Sequence, residues 1–165
     1  MEPIDRRNVL LGAACLLVAG GVAAAIVLVF SDSSTAAPSK AEYFARVAAI
    51  CRHYGPELDK IDPPHDIAIP GEVVGPVQIV LPLIVAQTRE LHALRPPREL
   101  ASKIERWLAL KDRAIETLKR TLHEGLLPDV RLMGPDWLLF VEQNEAAGKA
   151  AAKIGFPTAC TGSSA

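Results

Sequence analysis

The sequence predicts an all-α protein: an N-terminal transmembrane helix followed by an up-down-up-down four-helix bundle. Three observations carry this expectation. Val9 to Phe30 is a run without charge; the composition is 50% hydrophobic yet only 5% aromatic, as suits helices packed by aliphatic side chains. Beyond it, four segments repeat apolar residues at three- and four-residue steps and are separated by proline- or glycine-rich connections.

The 22 residues from Val9 to Phe30 would make a helix of about 33 Å, enough to cross a hydrocarbon core of roughly 30 Å. Arg6 and Arg7 precede the run and Asp32 follows it, so the positive-inside tendency leaves residues 1–8 in the cytoplasm and sends everything after Phe30 outside. The run is longer than the apolar region of an ordinary signal peptide, which favours an uncleaved signal anchor. Cleavage after Ala36 in "SSTAAP" is the competing fate. "DRRNVLLGAAC" has the arginine pair of a twin-arginine signal without the rest of that pattern, and Gly12 stands where a lipidation motif ahead of Cys15 would need a larger apolar residue.

Residues 31–38 read as a small-residue linker, 39–160 as an extracytoplasmic bundle and 161–165 as a flexible tail. Ser39 and Glu42 have capping-box spacing and start the first helix, whose seam is Phe44, Val47, Cys51, Tyr54, Leu58 and Ile61. Gly55-Pro56 predicts a kink or restart in it. Val73, Val77, Val80, Ile84, Leu91 and Leu94 mark a second helix, and the prolines at 76 and 82 predict that it is kinked or starts late. Leu100, Ile104, Trp107, Leu108, Ala114, Ile115, Leu118 and Leu122 form the clearest seam, entered through Pro96-Pro97 and closed by Gly125. The fourth helix, from about Pro128 to Ile154, has the seam Val130, Met133, Trp137, Phe140, Asn144, Ala147, Ala151 and Ile154, with Gly155 as a left-handed cap.

Cys51, "PELDKI" with "DPP", "ELHALRPP", "ERWLALKDRAI" and "IGFPTAC" together resemble a loose group of small exported, membrane-anchored helical proteins of high-GC bacteria that carry a cysteine pair. The resemblance covers residues 40 to 160. It implies export and a helical domain, and it brings no activity, cofactor or catalytic residue.

Charge and motifs narrow the function. From Ala37 onward 16 basic residues oppose 16 acidic ones, so the domain has no net field to attract nucleic acid. The sequence contains no G-x-S-x-G, P-loop, H-E-x-x-H, C-x-x-C or haem-attachment pattern, so no catalytic residue is assigned. The expectation is a non-catalytic binding or scaffolding domain whose protein or cell-envelope partner is unknown and whose membrane contact is the N-terminal helix. The alternative is a zinc or copper site at one end of the bundle from His53, His65 and His123, with Asp62, Asp66 and Glu124 nearby; the competing view leaves these histidines solvated at helix ends and loops. Arg106, Arg113 and Arg120, spaced by sevens, read as an ordinary solvated face beside Glu105, Asp112 and Glu116. Trp107 and Trp137 read as core anchors, and Asn144 as a polar seam residue that fixes register.

The exported part holds two cysteines, Cys51 on the first seam and Cys160 after the Gly155 turn, in a compartment where disulfides persist. A Cys51–Cys160 bridge is expected, with Phe156 packing on the way. Two buried free thiols, or an intermolecular bond, are the alternatives.

Overall fold

A computed structural model of the chain describes residues 38–127 and 131–161. The segment Val9–Phe30, the tail from 162 and Val130 lie outside these residues. The described part belongs to one compact unit, Ala37–Ala165. It is all-α, with four helices and no strand among the described residues: α1 (Lys40–Leu58), α2 (Pro70–Ala93), α3 (Ala101–Gly125) and α4 (Met133–Ile154).

Helix α1 begins where the capping box requires. The Ser39 Oγ accepts from the Glu42 N–H at 3.2 Å, and the Glu42 carboxylate accepts from the Ser39 N–H at 2.8 Å. Donors that the first helical turn leaves open are thereby satisfied. The helix runs to Leu58 with Pro56 inside it and no restart at Gly55. Its buried stripe is Tyr43, Val47, Ala48 and Cys51, so Tyr43 takes the core position expected for Phe44, which is half-buried. Ile61 lies beyond the helix.

Helix α2 differs from expectation at its start. It opens at Pro70, in the first turn where a missing N–H costs nothing, and is continuous through Pro76 and Pro82. Packing outweighs the two lost backbone hydrogen bonds: Val73, Val77 and Leu91 are buried against neighbouring helices. The connection before it is ordered by Glu72, whose Oε2 accepts from the N–H groups of His65 and Asp66 at 3.1 and 2.9 Å. Among the described residues α2 alone is long and apolar enough to cross a membrane, with a mean hydropathy of 1.3 over its most apolar stretch. Its apolar residues point in several directions, however, with Ile79 and Val85 exposed on the outside.

A 3₁₀ turn, Arg98–Leu100, leads into α3. The predicted seam is buried at Ile104, Trp107, Leu108, Ala114, Ile115 and Leu118, and Thr117 and Thr121 are buried with it. The Thr121 hydroxyl donates to the Thr117 carbonyl at 3.1 Å, which allows a polar side chain to sit there. Helix α3 packs on both α2 and α4. Arg120 clamps Asp136 with two hydrogen bonds of 3.2 and 3.0 Å, tying the end of α3 to the start of α4.

Helix α4 starts at Met133 and ends in a Schellman turn: Gly155 has φ 92°, its N–H reaches the Ala152 carbonyl, and the Phe156 N–H reaches that of Ala151. The turn sends Phe156 into the core against Trp107, Phe44 and Tyr43, at ring-centroid distances of 4.8, 4.9 and 6.2 Å. A second 3₁₀ turn, Thr158–Cys160, then lies on α1. Cys51 and Cys160 are paired, with their Cα atoms 5.3 Å apart. Helix α1 therefore packs on α2 and on the turn after α4, rather than along α4 itself. At Gly148 the chain passes so close that a Cβ would strike the Thr161 carbonyl.

Among the described residues, most of the buried apolar side chains fall in two clusters. One joins α1, the end of α2, the start of α3 and the end of α4, and includes Tyr43, Cys51, Leu91, Trp107, Ala151 and Phe156. The other joins the start of α2, the end of α3 and the start of α4 through Val73, Val77, Leu118 and Met133. In the first cluster the Tyr43 hydroxyl is buried without a partner, and desolvation pushes its pKa up to about 12.

Two outcomes follow from this packing. The bridge spans 109 residues of sequence, a loop for which the chain-entropy model gives about 4 to 5 kcal/mol. Cys51→Ser and Cys160→Ser should each lower the melting temperature under non-reducing conditions, and the double variant should fall no further than either single one. Additive losses would mean that the two sulfurs act separately. Removing the orphaned hydroxyl by Tyr43→Phe should leave stability unchanged or raise it by about 1 kcal/mol in urea unfolding, since an unsatisfied buried oxygen costs about 1–3 kcal/mol; a loss of stability would show that the hydroxyl has a partner.

Candidate functional site

Because α1 covers only part of the surface offered by the other three helices, a cleft of about 810 Å³ remains between the end of α1, the inner faces of α2, α3 and α4, and the C-terminal 3₁₀ turn. Each wall follows from a helical stripe. Helix α2 contributes Val77, Val80, Ile84, Gln87 and Leu91; α3 contributes Trp107 and Lys111, one turn apart; and α4 contributes Trp137, Phe140, Asn144 and Ala147. At the rim stand Arg52, Asp59 and Asp62, all exposed.

The polar groups in this cleft have a common origin in the sequence. Gln87, Lys111 and Asn144 each occupy a position where the apolar stripe of their helix calls for a hydrophobic residue. Three helices each place one such residue at the same opening. The Lys111 ammonium donates to the Gln87 Oε1 at 3.2 Å and lies 6.0 Å from the centre of the buried Trp107 ring. No ion pair among the described residues includes it. Its neighbour Asp112 is taken by His92, whose Nε2 lies 3.0 Å from the carboxylate on the other side of α3. Desolvation pushes the Lys111 pKa down to about 8, against a smaller opposing pull from Asp112.

Several residues take different places from those their spacing suggested. Asn144 is exposed to the cleft and not buried in a seam, because no helix packs opposite it there. Trp107 is a core anchor, at 1% exposure, whereas Trp137 is half-buried and forms cleft wall beside Phe140. Of the arginine stripe, Arg120 is bonded to Asp136 and the Arg106 Nε to the Ser102 carbonyl, while Arg113 is exposed. His53 is exposed with its ring edge-on to Tyr54, His65 is exposed in the α1–α2 connection, and His123 is exposed in the last turn of α3. Among the described residues no three of His, Cys, Asp and Glu form a group able to hold a metal ion. Sequence reasoning passed over Lys111 and Gln87; the available signal was their seam position, since Lys111 falls between Leu108 and Ala114 on the apolar stripe of α3.

Chemically, the inner cleft offers an apolar surface, two amides and one ammonium, with Arg52, Asp59 and Asp62 at its rim, an arrangement suited to holding a molecule with an apolar body and a polar end. Comparison with protein-family models, curated proteins and solved structures finds no match to this chain.

The position of Lys111 has a measurable signature. The folded domain releases its proton near pH 8 while an unfolded lysine holds it to about 10.5. Between those values the unfolded state binds more protons, so this group's contribution to stability rises with pH and is least favourable below pH 8. Because the residue is half-buried, water screens part of the cost, leaving about 1–2 kcal/mol. Relative to the parent, Lys111→Met should therefore gain about that amount in stability as the pH falls from 10.5 to 7, on top of a pH-independent loss for the Gln87 carbonyl that it leaves unpaired. Urea unfolding of both proteins at pH 7 and pH 10 measures it, and a difference independent of pH would show that the ammonium is freely solvated.

Proposed function

We propose that this chain is a membrane-anchored extracytoplasmic domain, an up-down-up-down arrangement of four helices, whose role is to bind a ligand rather than to catalyse a reaction. The observation that carries the binding role is the cleft: one polar residue from each of three helices converges on an apolar opening of ligand size. Proteins usually fill such positions with hydrophobic residues, and three departures at one opening make sense as ligand contacts.

The place of the domain rests on the sequence. Val9 to Phe30 is a signal anchor, Arg6 and Arg7 hold the short tail in the cytoplasm, and the domain from Ser39 stands outside. The pairing of Cys51 with Cys160 supports this placement, because an oxidising compartment preserves such a bond. The resemblance to exported helical proteins of high-GC bacteria agrees with it.

Two measurements test the proposal. A reporter that works only outside the cytoplasm, fused after Ala165, should be active, and the full-length chain should stay in the membrane fraction through a carbonate wash. An inactive reporter would reverse the orientation. Native mass spectrometry of the full chain in lipid nanodiscs should show a retained small molecule that is lost in Val80→Trp, which fills the cleft. A chain that retains nothing beyond bulk lipid would remove the binding role.

A further inference from the structure

We infer that the cleft takes a single-chain amphiphile with a carboxylate head, the head on Lys111 and the chain along the wall formed by Val80, Ile84, Trp137 and Phe140; this rests on the ligand-binding reading above and names its ligand class. The first argument is electrostatic. Lys111 holds an ammonium beside a buried indole with one neutral acceptor, the Gln87 carbonyl, and no carboxylate paired with it. A partly desolvated cation in that state is short of an anion, and Coulomb attraction is strongest where water is least. An anionic ligand supplies the missing charge.

The second argument concerns which anion. A phosphate dianion is matched by the fork of an arginine, often several, whereas the inner cleft presents one point charge and amide groups. With its oxygen taken by Lys111, Gln87 keeps an N–H₂ group for donation, and Asn144 supplies a second amide. One ammonium and two amides match one carboxylate. At the rim, the exposed carboxylates of Asp59 and Asp62 outnumber the guanidinium of Arg52 and disfavour a more highly charged head.

The third argument is shape. The cleft is lined by aliphatic and aromatic side chains from successive turns of α2 and α4, and its α2 wall, from Val77 to Leu91, rises about 21 Å at 1.5 Å per residue. Its volume of about 810 Å³ falls in the roughly 300–1,000 Å³ class that holds one small ligand. A single flexible chain fits an elongated wall of this kind, while a two-chain lipid exceeds it.

The test is photoaffinity labelling of the full chain in nanodiscs of neutral phospholipid, with palmitate carrying a diazirine in its chain as the probe. Labelled peptides should map to the Val80–Ile84 and Trp137–Phe140 segments, and unlabelled palmitate should compete while hexadecanol competes about tenfold less well. Lys111→Met should weaken palmitate competition by about ten- to a hundredfold, as expected for a hydrogen bond to a charged group, while Lys111→Arg keeps most of it. A cooperative melting curve for Lys111→Met at the labelling temperature separates loss of the contact from unfolding, and Lys111→Arg, which keeps the charge, provides the second check. Equal competition by palmitate and hexadecanol, with Lys111→Met labelled as the parent, would overturn the carboxylate assignment while leaving a ligand cleft. Stronger competition by a two-chain phosphatidate would overturn the single-chain assignment. Labelling confined to residues outside the cleft would overturn both this inference and the binding role beneath it.

Discussion

The position of α1 governs the domain. Helices α2, α3 and α4 form a continuous packed set, with α3 in contact with both neighbours. Helix α1 is held differently: by its contact with α2, by Phe156 wedged among Tyr43, Phe44 and Trp107, and by the bond from Cys51 to Cys160. These contacts gather α1 against the end of the set where α4 stops. The remaining surface is left uncovered and becomes the cleft. Had α1 lain along α4, side chains such as Asn144 and Phe140 would be interior, and no opening of this size would remain.

That arrangement depends on the last few residues of the described chain. Gly155 alone among the described residues has positive φ, and only through its left-handed turn does Phe156 point back toward the core. Gly148 lets the following 3₁₀ turn cross α4 at close range. A short C-terminal segment thus acts as a strap, and its covalent end closes on α1. The segment contributes few residues to the core, yet it decides where the first helix sits.

Much of this was legible in the sequence, for identifiable reasons. The capping box at Ser39 and Glu42, the seam of α3, the Gly155 cap and the pairing of the two cysteines are local or combinatorial signals, and each reads directly. Of the two outcomes the prolines of α2 suggested, the late start does not occur, because a lost backbone hydrogen bond is a local cost, whereas the burial of Val73, Val77 and Leu91 that outweighs it is tertiary. Asn144 misled for the opposite reason. Its seam position was read correctly, but periodicity says which face a residue occupies and not whether another helix covers that face. The same limit hid Lys111 and Gln87, whose meaning emerges only when α2 and α3 are side by side.

The cysteine bond also sets how the domain responds to load. If tension enters at Lys40 and leaves at Thr161, the covalent route runs along α1 to Cys51, crosses to Cys160 and exits one residue later. The chain between the two cysteines is bypassed, so α2, α3 and α4 bear no force through the backbone. Pulling can unravel the first turns of α1 and then meets a bond instead of a helix. A pull on the two ends of the domain is thus kept off the cleft walls, which keep their registration while the leading helix yields.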